Sequence, residues 1–231
     1  MRKISINDAE RLAAKFRVDN GFSHIEPLNM KTVMRKCNIL TVYRSMSEKA
    51  YGMSLRSKAG DMFVLVNSSR TIGRQHFTMA HEIYHLFYDE NPVPHLCGVE
   101  QESISEKNAN LFAAALLMPQ DSLLQQIPSR ESVGNSISIA TVLRLEHFYG
   151  VSRESMLYRL KAVGFIDERK LQELLKYSKV ETAKEHGYDT SLYKPGNDGL
   201  VIGDFGSIAR TLFEKGKISE GHYVELLNMI S

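Results

Sequence analysis

The chain has 231 residues, 43% hydrophobic and 24% charged, with a net charge of +2. These are ordinary globular proportions, so a packed core is expected and extended disorder is not. The charge is too small to argue for nucleic acid from overall electrostatics.

The start, MRKISINDAERLAAKF, has basic residues but no apolar run behind them, so no signal peptide is expected. NDAERLAAKFRVDN (7–20) reads as a helix capped by Asn7 or Asp8 and stopped by Gly21. A shorter helix follows Pro27, over 28–37. Its last residue, Cys37, is one of 2 cysteines, the other being Cys97, which fits a reducing compartment rather than a disulfide scaffold. ILTVYRS (39–45), YGMSLRS (51–57) and DMFVLVN (61–67) are short and rich in β-branched and aromatic residues, as strands are. Lys58-Ala59-Gly60-Asp61 makes a hairpin turn between the last two. A long helix is predicted over 71–88, ended by Asp89, Asn91, Pro92 and Pro94. A loop runs to about Gln101, and a helix over 103–118 is closed by Pro119. Further helices are expected at 120–127, 137–148, 153–162, 167–178 and 180–186. YDTSLYKPGNDG (188–199) is the most linker-like stretch, and helices at 206–215 and 219–230 finish the chain. No segment approaches the roughly 18 apolar residues that span a membrane. The expectation is a soluble, cytoplasmic protein.

The long helix carries RQHFTMAHEIYHLFYDE (74–90). Residues four apart on a helix lie on one face, so His81 and His85 point the same way and can grip one metal ion. Glu82, offset by one residue, points past that ion to where it can hold a water. This is the H-E-x-x-H geometry. Arg74 and Thr78 share the stripe, while Ala80, Ile83 and Phe87 lie opposite, with Met79 and Leu86 at the edge. With 8 histidines in the chain, far fewer than one such match is expected by chance.

A catalytic zinc takes three protein ligands and leaves one position for water. On the next helix Glu106 is the preferred third ligand. Asn110, one turn on, can hold a liganding histidine through its other ring nitrogen. Ala109 and Ala113 on this stripe would let the two helices pack closely. Other readings stay open. Ser103-x-x-Glu106 is also a capping box, and Glu100 or Glu102 can serve if the helix starts earlier. Nitrogen and oxygen donors also accept Mn2+ or Fe2+.

RQHFTMAHEIYH followed by EKNANLFAAALLMP resembles the ImmA/IrrE family of metallopeptidases, in which an HExxH helix precedes an acidic ligand helix ending in an FA…LLMP stretch. Phe112, Ala113, Leu116, Leu117, Met118 and Pro119 carry the second half, and the strand ending VLVN (64–67) also fits. The resemblance covers roughly residues 5 to 165. Many members have a second acid before the alanine. Here Asn108 stands there, which favours Glu106. The resemblance implies a zincin-like α+β fold: a small antiparallel or mixed three-stranded sheet, an HExxH helix, a Glu-ligand helix and a mainly helical C-terminal part. It implies zinc held by His81, His85 and Glu106, with Glu82 as general base. It also implies a substrate that is a helix-turn-helix repressor of a mobile element or stress response.

Three divisions follow: 1–130 as the peptidase domain, 131–166 as a helix-turn-helix-like extension, and 167–231 as a helical region of no assigned role. In the extension, Gly150 suits the turn, Ser152 caps the second helix, and Arg153, Arg159 and Lys161 are the side chains that would face DNA. Packing is the preferred reading there, since Glu154 lies among them. The competing function is a DNA-binding or antitoxin-type regulator with a non-catalytic metal site. Strand DMFVLVN is a candidate to pair with an extended substrate. His76, His147, Tyr149 and Tyr158 are candidates for a second electrophile, each more readily structural. His95 and Cys97, in PVPHLCGVE, raise one more reading, in which the thiol fills the open metal position and holds the enzyme latent. The plainer account, an inert and partly buried cysteine, is preferred from sequence.

Overall fold

Ser5 starts α1 (Ile6–Asp19): its hydroxyl accepts from the Asp8 N–H, and the Asp8 carboxylate accepts from the Ser5 N–H. The cap lies ahead of the expected Asn7 or Asp8, because Ser5 has an acid at the third helical position to complete a reciprocal box. Asn29 caps α2 (Met30–Lys36). The computed structural model describes residues 2–89, 95–98 and 103–230, with His95, Leu96 and Gly98 described by backbone alone.

Three strands follow, β1 (Ile39–Arg44), β2 (Ala50–Arg56) and β3 (Met62–Asn67). β2 and β3 form the expected hairpin, whose turn places Gly60 at φ +96, a conformation that favours glycine. β1 does not pair with β2. It runs parallel beside β3, with Ile39 opposite Met62 and Arg44 opposite Asn67. The 45–49 connection therefore crosses the end of β3, and buried Asn67 staples it there. Asn67 Oδ1 accepts from the Met46 N–H at 3.1 Å, and Nδ2 donates to the carbonyls of Ser47 and Ala50 at 3.0 and 2.8 Å.

Two short strands extend the sheet. β4 (His95–Gly98) pairs antiparallel with β2, and β5 (Val201–Ile202) with β1, giving the order β4-β2-β3-β1-β5. The fold is α+β and the sheet is mixed, with five strands among the described residues rather than three. β4 falls in what reads as a loop, and both added strands are too short to show a period-two pattern. β3 is paired on both sides, so its backbone has no edge left for a substrate strand. Among the described residues the edges are β4 and β5.

α3 (Ile72–Tyr88) lies on the sheet against β2 and β3, α4 (Ile104–Leu117) packs along α3, and α1 packs on α4. The apolar back of α3 (Met79, Ala80, Ile83, Leu86) is buried, and Phe87 reaches Phe16 of α1 at 5.3 Å. Phe112 of α4 sits among Phe16, Tyr84 and Tyr88 with ring centroids 6.1, 5.7 and 5.2 Å away. Buried Arg17 donates to the Leu116 carbonyl at the end of α4, satisfying a backbone acceptor the helix cannot.

The remaining helices are α5 (Gln120–Gln126), α6 (Ile139–Tyr149), α7 (Arg153–Ala162), α8 (Glu168–Leu175), α9 (Lys179–Glu185), α10 (Phe205–Glu214) and α11 (Glu220–Ile230). The α6–α7 turn is made by Gly150, in the left-handed region, and by Ser152, which caps α7. Arg153 is wholly buried and paired with Glu146. Arg159 is 3% exposed, donates to the Met118 carbonyl and pairs with Glu10. Of the three side chains considered for DNA, only Lys161 is exposed, and it pairs with Glu168. Residues 188–199 are packed rather than tethered. Gln75 of α3 donates to the Gly196 carbonyl at 2.9 Å and accepts from Asn197 at 2.8 Å, while Tyr193 donates to Glu146 at 2.7 Å. α10 and α11 pack mainly on each other. Among the described residues no helix is long and apolar enough to cross a membrane.

Candidate metal centre

One turn of α3 separates His81 and His85, and their Nε2 atoms approach to 3.1 Å. Glu106 comes from the first turn of α4. Its Oε2 lies 3.1 Å from His81 Nε2 and its Oε1 lies 3.2 Å from His85 Nε2. All three side chains are buried. The Ser103 hydroxyl caps α4 by accepting from the Glu106 N–H at 3.2 Å. The Glu106 carboxylate, however, turns to the histidines instead of reaching back to Ser103. Ala109 and Ala113, both fully buried, allow the close approach of α3 and α4.

The outer ring nitrogens are also held. His81 Nδ1 is 3.0 Å from Asn110 Oδ1, and His85 Nδ1 is 2.6 Å from Asp89 Oδ2. Asp89 is fixed in turn by the Ser105 hydroxyl, which donates to both of its oxygens at 2.9 and 2.8 Å. The sequence reading treated Asp89 only as a helix terminator. Its position four residues after His85 was the available signal. With carbonyl and carboxylate oxygens on the Nδ1 side, both rings carry hydrogen there and turn a lone pair inward at Nε2.

Two ring nitrogens and a carboxylate thus converge on one point, an arrangement that a shared cation suits. Burial pulls the His85 imidazole toward neutrality, but hydrogen bonds to Glu106 and Asp89 outweigh it and hold its pKa above the ordinary value. The pocket therefore favours positive charge. In a tetrahedral zinc site, donors about 2.0–2.1 Å from the ion stand about 3.3 Å apart. The observed 3.1–3.2 Å separations need to open by only a little.

Glu82 is fully buried, and neither carboxylate oxygen has a hydrogen-bond partner by geometry among the described residues. Burying a carboxylate without partners is costly, so these oxygens call for a water or a cation beside them. Gly52 of β2 makes room for the carboxylate. A Cβ there would stand 2.6 Å from Thr78 Cγ2 and 3.4 Å from Glu82 Oε1. Cys97 of β4 also enters the site. The donor atoms of His81, His85, Cys97 and Glu106 lie within 4.8 Å of one another. Burial pushes the Cys97 thiol pKa up, and the negative charge of Glu82 adds to the effect.

The other sequence candidates lie elsewhere. His76 Nδ1 meets the Gly150 carbonyl at 2.7 Å, Tyr149 meets Ser122 Oγ at 2.7 Å, and His147 stacks on Tyr188. Tyr158 is 57% exposed on a groove of about 970 Å³ that is also lined by Phe77 and Asn110. Asn108 points away from the metal ligands and ties Arg2 and Ile4 to α4. Glu100 and Glu102, the alternative carboxylates, lie outside the described residues, as do Asn91, Pro92, Pro94 and the side chain of His95.

A sheet-backed HExxH helix with a carboxylate from the following helix is the architecture of a zincin-like metallopeptidase. The family model for the IrrE N-terminal-like domain, peptidase family M78, matches residues 34–161, more than half of the chain, and the chain belongs to that family. No curated protein matches the chain at a significant level.

Proposed function

We propose that this chain is a zinc-dependent endopeptidase of the HExxH type that cuts a regulatory protein. Its proposed substrate is a helix-turn-helix repressor of a mobile element or stress response. The observation that carries the reading is the fully buried carboxylate of Glu82 beside three converging donors. In this reading His81, His85 and Glu106 hold the ion, while Asn110 and Asp89 orient the two rings. When bound, zinc supplies Lewis acidity, which brings the pKa of a water to near 7 and polarises a carbonyl. Glu82 takes a proton from the attacking water on a carboxylate oxygen and passes it to the leaving amine. Its carboxylate faces the donors from one residue along the helix, which suits that transfer. The same donors accept Mn2+ or Fe2+.

The substrate strand is assigned to the outer edge of β4, the edge nearest the site, instead of β3, which is paired on both sides. Residues 1–130 make the catalytic part in this reading, and 131–166 a helical extension packed on it. Residues 167–231 supply β5 and the segment under Gln75. The competing DNA-binding reading loses support because Arg153 and Arg159 are buried. A cytoplasmic setting is part of the same proposal.

The test is incubation of the metal-loaded chain with helix-turn-helix repressors from the same genome, read as one specific cut. Glu82→Gln is expected to keep its metal and lose about 10²–10⁴-fold in rate, the scale of general acid–base catalysis. A Glu82→Gln protein that cuts at the wild-type rate, or that has lost its metal, counts against the assignment.

A further inference from the structure

Cys97 has no task in the reaction above, yet the fold aims it at the metal centre. β4 pairs with β2 through a register shift: Ala50 stands opposite Gly98, but Gly52, two residues on, stands opposite Cys97. The bulge at Tyr51 resets the side-chain direction. Cross-strand partners share a sheet face, so Cys97 lies on the face toward which Gly52 is open, the face under Thr78 and Glu82. Glycine lets the Thr78 and Glu82 side chains come down onto that face of the strand, and Cys97 is 3% exposed. Its sulfur stands 4.0 Å from Glu106 Oε1. A tetrahedral zinc needs a sulfur–oxygen separation of about 3.6 Å. Cys37 supplies the contrast. It is also buried, with its pKa pushed up to about 11 by burial, but its sulfur meets the Asn20 side chain at the end of α1, away from the metal centre.

We propose that Cys97 is a fourth ligand that closes the metal centre and holds the protein in a latent state. The proposal rests on the metal-centre reading above. On closure the S–H bond breaks and a sulfur–metal bond forms at the vertex that water would occupy. The thiol proton and the displaced water leave to solvent, and no electron is transferred. Closed four-ligand sites are structural and open ones are catalytic, so this single exchange separates the two states. Glu82 then faces a sulfur and has no water to deprotonate.

The experiment is cobalt substitution of the full chain, with Co2+ as the probe. Wild type should bind one equivalent and show the intense near-ultraviolet thiolate-to-cobalt band. Cys97→Ser should still bind cobalt but lose that band, while Cys37→Ser keeps it. A second measurement needs no variant: X-ray absorption of the zinc-loaded wild type should show a sulfur scatterer at about 2.3 Å beside lighter ones at about 2.0–2.1 Å. A wild-type protein that binds metal with only nitrogen and oxygen around it overturns the latent-state proposal and leaves the His81–His85–Glu106 site standing. A band that survives Cys97→Ser overturns it equally. Failure of wild type to bind metal overturns both.

Discussion

At the scale of single residues, Asp89 does two things. It stands just past the end of α3 and, through its carboxylate, fixes the ring of His85. Losing such a contact typically costs 10–100-fold in metal affinity, and Asp89→Ala is expected to weaken zinc binding by about that much. Competition against a chromophoric chelator measures it, and wild-type affinity in the variant would show that the contact does not orient the ring. His81, Glu82 and His85 were legible in the sequence because one helical period fixes their directions. Glu106 and Asn110 followed by the same rule on the next helix. Cys97 was raised in the sequence as a thiol that could fill the open metal position, but the inert reading was preferred there, since its direction depends on a bulge in one strand and a missing side chain in β2.

At the scale of elements, the three strands before the site helix and the two helices that form the candidate metal centre were readable from local pattern. The strand order was not. Chain order alone places β2 beside β1, whereas the Asn67 side chain fixes a connection that carries β2 to the far side of β3. The α6–α7 turn was readable from Gly150 and Ser152, but the facing of Arg153 was not. Its burial depends on Glu146 of α6 and Thr182 of α9. Removing one partner of a buried ion pair typically costs about 3–5 kcal/mol. Arg153→Ala is therefore expected to lower the urea midpoint sharply, with loss of stability rather than loss of nucleic-acid affinity as its phenotype. A variant as stable as wild type would reopen the surface reading.

At the scale of the whole molecule, the proposed metal centre would couple ion binding to folding, because its three donors form a cluster only when α3 and α4 are packed together. Free zinc at 100 times its Kd is expected to stabilise the fold by about 2.7 kcal/mol. Thermal unfolding with and without a strong chelator reads this directly. An unchanged Tm would mean that the ion adds nothing to the packed state.

The pairing of Thr41 with Ile202 has a temporal consequence. The last rim of the sheet is supplied about 160 residues after the strand it protects, a long-range contact of the kind that forms slowly. While the chain is being synthesised, β1 leaves the ribosome with one flank bare, and Gln75 waits for the Gly196 carbonyl. A nascent chain halted at the family boundary near residue 161 already holds both histidines and the acid, but not the rim that completes the sheet behind them. The sheet behind the candidate site is therefore complete only once residues 201–202 have been made and have paired with β1.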